Sequence, residues 1–307
     1  MKMQDLRLKG DAFFFQPVSP YPLASFRILF GVCVAATLLL LHRDWMAWFG
    51  MHGWVSPETI HKAESGFRLN VFDLLPSDDG WVRLCFWIFL SASLALVVGF
   101  CSRLSSAIVF LALNALNQRM PLILHGGDTF LRAAAFFLVF CPSGMGWSVD
   151  ALIRKRRHIL RPTTIKPWAQ RLIQYQLALI YLSSFLWKIK GEPWRSGTAL
   201  FYVWHLREIQ RFPVPSLFQS TATIHIESWS VLVFELVFPL LIWFKRFRVP
   251  LLTVGIIFHL TLEYALNIPM FQWDMLSAYV LFVDPYALER RVAQFFNVVS
   301  RRQGRTA

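Results

Sequence analysis

The chain reads as an all-α, polytopic transmembrane helical bundle of about eight spans, with both termini cytoplasmic. Three observations lead there. Long apolar stretches recur along 307 residues that are 56% hydrophobic and only 16% charged, whereas a soluble domain carries about 25% charged residues. Basic residues crowd into alternate connections between those stretches, as the positive-inside rule requires. Ionisable residues also sit inside several stretches, where an unpaired charge costs roughly 3 kcal/mol or more.

The first stretch, 23–41, is too long for the core of a cleavable signal. It reads as a retained anchor after a cytoplasmic segment, 1–22. Stretches 81–100 and 104–124 follow. The fourth, 129–141, is short, and Asp128 is placed to cap its start. The fifth, 169–187, ends at Lys188. The sixth, 229–244, carries Glu235 in its outer half, and the seventh, 249–268, carries His259 and Glu263. The eighth, 271–283, is short again and opens with Asp274. The transmembrane domain thus runs over 23–286, followed by a basic cytoplasmic tail, 287–307. No appended soluble domain is expected.

With the N-terminus inside, the cytoplasmic segments hold Lys2, Arg7, Lys9, Arg103, the run Arg154 to Arg157, Arg161, Lys166, Lys245, Arg246 and Arg248. The tail adds Arg290, Arg291, Arg301, Arg302 and Arg305. Most acids fall on the other side, among them Asp44, Glu58, Glu64, Asp73, Asp78, Asp79, Glu192, Glu208 and Glu227. A net charge of +13 would by itself suggest a nucleic-acid partner. Basic residues in short loops beside apolar segments instead set topology and meet membrane lipid, so no nucleic acid is expected. The run Arg154 to Arg157 reads as a topology anchor, with phosphoinositide binding as the sharper alternative.

Two outer loops are long, 42–80 and 188–228, and rich in Trp, Pro and Gly. They are expected to fold back onto the membrane interface, and loops of that length are usually functional. The four cysteines lie in or beside apolar stretches with no CxxC pair, so they read as buried small hydrophobes. The eight histidines show no HxxxH or HExxH spacing, and no metal is expected.

The intramembrane polar residues gather toward the outer leaflet: Arg119, His125, Asp128, Lys188, Glu235, His259, Glu263 and Asp274. That pattern suggests one polar cavity open to the exterior. His259 and Glu263, four apart, share a helix face; the carboxylate would fix the imidazole's tautomer, or the two would form an ordinary interhelical pair. Asp128 and Arg132 have the same spacing, with a structural reading preferred. Lys188 has two readings, a snorkelling charge or a base in a dry pocket. Lys190 reads as the snorkelling one.

The segment Tyr181 to Tyr202, YLSSFLWKIKGEPWRSGTALFY, resembles the signature of HTTM-domain proteins, the membrane relatives of vitamin K-dependent gamma-carboxylase. Three further blocks agree in order. Ala24 to Gly31 resembles the family's opening. Gly127, Asp128, Arg132, Pro142 and Trp147 to Asp150 resemble its GD, R, P and WSLD stretch. His259 to Asp284 resembles its closing helices. The resemblance implies a site at Lys188 and His259, facing the lumen or periplasm, with Asp128, Arg132, Glu235, Glu263 and Trp194 as support. The spacing to Trp194 leaves Lys190 as a rival for the lysine. It further implies a reduced naphthoquinone, oxygen and carbon dioxide as reactants. The large luminal domain that grips the carboxylase propeptide is expected to be missing. Other bacterial members resemble peptide-toxin maturation proteins.

Three functions follow as expectations. The first is a quinol- and oxygen-dependent enzyme, carboxylase- or epoxidase-like, modifying an exported peptide in a bacterial inner membrane. The second is a non-catalytic partner of a neighbouring maturation protein. The third is a proton-coupled transporter using the His259–Glu263 face.

Overall fold

The computed structural model describes residues 3–63, 70–159, 163–290 and 294. The sequence readings at Lys2, Glu64, Arg161, Arg291, Arg301, Arg302 and Arg305, and most of the basic tail, lie outside the described residues. The described chain is all-α, with two isolated β-bridges, Val18 to Ile165 and Gln210 to Leu266.

Helices form at every expected stretch: α1 Tyr21–Leu41, α2 Asp79–Val98, α3 Ser102–Arg119, α4 Gly126–Phe140, α5 Trp168–Lys188, α6 Thr221–Leu241, α7 Lys245–Ala265 and α8 Phe271–Ser277. Among the described residues, four of these (α1, α2, α6 and α7) are long and apolar enough to cross a membrane. Each is 20 or 21 residues long, about 30 Å at 1.5 Å per residue. At 15 residues, α4 reaches only about 22 Å. Gln170, Gln174 and Gln176 in the first half of α5 lower its apolarity despite its 21 residues. The last expected stretch is a 7-residue helix continued by a 3-10 turn, Ala278–Phe282.

Boundaries follow capping chemistry more than hydropathy. The sixth helix starts eight residues before the apolar run because Ser220 caps it, accepting from the amide of Thr223 at 3.3 Å. Asp78 does the same for α2 through Gly80, at 2.7 Å.

The chain divides into two compact units. The first comprises residues 1–124, 131–173 and 280–307; the second comprises 125–130 and 174–279. Helices α4 and α5 contribute to both.

In the first unit α1 packs on α2, and α2 on α3. A buried cation ties their ends. Arg27 of α1, 0% exposed, donates to the carbonyls of Ser143 at 3.1 Å, Trp147 at 2.6 Å and Val97 at 3.4 Å. Gly99 ends α2 in the left-handed region at φ 70°. A Cβ there would lie 2.2 Å from the Arg27 guanidinium, so only glycine admits the arginine. Asp150 caps α3, accepting from the amides of Cys101 and Ser102 at 2.8 Å and the Ser102 hydroxyl at 2.7 Å. Burial pushes the Asp150 carboxyl up, but Ser102, Cys101 and the Arg154 charge outweigh it and hold it below its ordinary value.

The described parts of the loop 42–80 pack against the helices of the first unit. Arg119, 3% exposed, donates to the carbonyls of Gly50 at 2.9 Å and Val55 at 3.0 Å. Trp45 donates to Val82 O at 3.0 Å and packs on Phe49 and Phe86.

In the second unit the loop between α5 and α6 forms short helices, Glu192–Arg195 and Ala199–Trp204. They close an apolar cluster of Leu200, Trp204, Val214, Val231, Ala265 and Leu266. Most of α7 faces outward, with Val254, Ile257, Leu260 and Tyr264 exposed. That stripe of apolar side chains suits lipid tails.

Candidate functional site

The second unit carries two polar layers against one face of α5. Tyr181, Ser184 and Lys188 stand at i, i+3 and i+7, so they share that face. Over seven residues it rises about 10 Å.

Lys188 forms the outer layer. Its Nζ ion-pairs with Glu235 Oε1 of α6; the side chains are 27% and 4% exposed. Ser184 Oγ donates to the same oxygen at 2.9 Å. The ammonium also lies 4.8 Å from the Trp194 ring centroid, a cation–π contact. Glu235 Oε2 is buried with no hydrogen-bond partner among the described residues. A carboxylate oxygen left so in a dry interior is costly. It is an open acceptor beside a cation.

His259 of α7 forms the inner layer and is 1% exposed. Nδ1 meets Gln272 Oε1 at 2.6 Å, and Nε2 meets the Tyr181 hydroxyl at 2.6 Å. Tyr181 meets the Tyr279 hydroxyl at 2.6 Å. An amide oxygen only accepts, so Nδ1 carries the hydrogen. Nε2 then accepts from Tyr181, which accepts from Tyr279. This leaves the Gln272 amide nitrogen as a buried donor with no partner among the described residues. Room for Tyr279 comes from Gly255, where a Cβ would lie 2.2 Å from the phenolic oxygen.

Several expectations change. His259 and Glu263 do not pair. Glu263 ion-pairs with Arg211 instead, because the long loop brings a full charge to it while His259 turns inward. The direct His259–Glu263 contact that the transporter reading invoked is thus not made. Arg119 donates to loop carbonyls within the first unit. Arg132 also belongs to the first unit.

Asp128 does cap α4, from the third helical position rather than from the cap itself. It accepts the amide of His125 at 2.9 Å, while His125 Nδ1 accepts the amide of Gly127 at 3.1 Å. This is a capping box with histidine as the cap. Asp274 is buried, at 1%.

Between the rival lysines, the geometry separates Lys188 from Lys190. Lys190 is exposed and lies 4.4 Å from the centroid of the exposed Trp187 ring. Among the described residues no group of three His, Cys, Asp or Glu side chains is placed to hold a metal ion.

Tyr181, Ser184, Gln272 and Tyr279 carry no charge, and sequence reasoning assigned them no role. The signal available was the seven-residue face leading to Lys188. Arg211 left no signal, since it is one of many loop arginines.

Fold and site together define an α-helical protein with membrane-length helices and a half-buried lysine paired with a buried glutamate beside a histidine–tyrosine chain. The chain belongs to the HTTM-domain family, whose domain matches residues 15–286. It is also similar to sporulation-delaying protein SdpB of Bacillus subtilis (strain 168), being 30% identical over 183 residues, 55% of this chain and 54% of SdpB. The chain thus spans about half the length of this curated relative. No solved structure matches.

Proposed function

We propose that this HTTM-domain protein is a membrane enzyme acting on an exported peptide, with Lys188 and Glu235 as its proton-handling pair. The observation that carries the reading is the unpartnered Glu235 oxygen beside the ammonium of Lys188, which lies in the segment that resembles the family's signature. Peptide maturation as the setting rests on the resemblance of bacterial family members to peptide-toxin maturation proteins. The likeness to sporulation-delaying protein SdpB is compatible with it.

The resemblance also implies a lipid-soluble quinol. The residues fit one in chemistry: a quinol hydroxyl needs an acceptor, which Glu235 Oε2 offers, and the Trp194 ring beside Lys188 gives a flat aromatic surface. Once bound, a reduced naphthoquinone with oxygen would supply the driving force for removing a carbon-bound proton from the peptide, and carbon dioxide would add to the carbanion so left. Lys188 would take up or release the proton at Nζ. Glu235 would balance the charge at Oε1, and Ser184 would hold that carboxylate in register. The chain Tyr279–Tyr181–His259–Gln272 would brace α5 against α7 and α8.

The test uses purified protein in detergent with reduced naphthoquinone and oxygen, read by mass spectrometry for quinone epoxide. Epoxide from wild type and none from Lys188→Ala supports the reading. No epoxide from either removes it.

A second reading, a non-catalytic maturation partner, has one observation in its favour. The Lys188 ammonium already has a carboxylate and a ring, as a purely structural cation would. It predicts that Lys188→Arg keeps function and that a partner protein co-purifies.

A further inference from the structure

We propose that the first unit carries an anionic phospholipid headgroup site in the cavity between the start of α3 and the turn after α4. The cavity is about 410 Å³, room for a phosphate with its glycerol. Arg103, Arg154, Ser102, Ser143 and Leu104 are among its lining. Three features select the ligand.

The first is charge. Two guanidinium groups line the cavity against one carboxylate, Asp150. The oxygens of Asp150 are taken up by the Cys101 and Ser102 amides and the Ser102 hydroxyl. The net field favours an anion. Arg154 donates to the Gly144 carbonyl, which holds its guanidinium at the cavity.

The second is an unmet polar group. Ser143, which is among the lining residues, is 2% exposed, and its hydroxyl has no hydrogen-bond partner among the described residues. Buried hydroxyls are normally satisfied, and a phosphate oxygen would satisfy this one.

The third is depth. The lining starts at Cys101, three residues past Val98, the last residue of the membrane-length helix α2. Headgroups lie at that level. Leu104 at the rim is 61% exposed, and nearby Phe100 and Phe140 are 49% and 47% exposed, so acyl chains have apolar surface to lie on. A free phosphate would have no use for it.

The experiment is thermal unfolding of the full chain in neutral detergent, titrated with short-chain phosphatidylglycerol, short-chain phosphatidylcholine or inorganic phosphate. Phosphatidylglycerol is expected to raise the unfolding temperature saturably and phosphatidylcholine is not. Arg103→Glu, at an exposed position, should weaken the half-saturating concentration by about fivefold or more. Ser143→Ala should weaken it less. Arg246→Glu, an exposed charge in the second unit, should leave it unchanged. Equal stabilisation by inorganic phosphate would overturn the lipid as ligand. No saturable effect, or the same loss in Arg246→Glu as in Arg103→Glu, would overturn the site.

Discussion

At Lys188 and Glu235 the physical question is what a partly buried ion pair contributes. Removing one partner leaves the other charge stranded, at about 3 kcal/mol or more when both are fully buried. Lys188 is 27% exposed, so the expected loss for Glu235→Gln falls below that figure. Lys188→Met combined with Glu235→Leu should unfold closer to wild type than either single change, and yet be inactive. Thermal unfolding with activity checks this; a double variant that keeps activity sinks the pair's role. Gly255→Ala forces a methyl onto the Tyr279 hydroxyl, and overpacking of that kind costs about 1–3 kcal/mol. The variant should lose stability by that order while Tyr279→Phe, which keeps the space, loses less.

Charged residues were legible in the sequence because charge inside an apolar run is rare. Lys188 and Glu235 were visible for that reason, on separate helices. Their pairing was not, since nothing in either run fixes which helix faces which. Spacing misled at His259 and Glu263. Sharing a face allows a contact but does not require it, and Arg211 offered Glu263 a better one.

Among the elements, short blocks that resemble the family's pattern turn out to be staples. Arg27, in the opening block, holds three carbonyls, and the Asp150 block caps α3. Arg27→Lys should destabilise nearly as much as Arg27→Ala, since one ammonium cannot serve three carbonyls splayed around a planar fork. Equal stability of Arg27→Lys and wild type in thermal unfolding would count against the staple.

Asp150 gives a pH dependence with a defined sign. Its folded value lies below the ordinary carboxylate value, so its contribution is present above about pH 4. That contribution fades as pH falls through the lowered folded value. Asp150→Asn should therefore unfold more easily than wild type at neutral pH, with the gap closing in acid. A gap that widens in acid would reverse the assignment. Helix positions themselves were legible from hydropathy. The starts of α6 and α7 were not, because caps and polar first turns are helical without being apolar.

For the molecule as a whole, we propose an orientation from charge alone. The positive-inside arrangement would put the α2–α3 turn in the cytoplasm. Cys101 in that turn is exposed, while Cys33, Cys85 and Cys141 are buried. A membrane-impermeant maleimide should label Cys101 in inside-out vesicles and spare it in right-side-out ones. The reverse would place the turn outside and invert the whole assignment. Family membership and helical class rest on the 15–286 match and the helices themselves; the chemistry rests on one pair of side chains.

That pair is tested most directly by oxygen uptake in proteoliposomes supplied with reduced naphthoquinone. Wild type should consume oxygen, and Lys188→Ala and Glu235→Gln, confirmed as folded, should not. Uptake at the wild-type rate in both variants, or none in wild type, would contradict Lys188 and Glu235 as the proton-handling pair of a quinol-dependent enzyme.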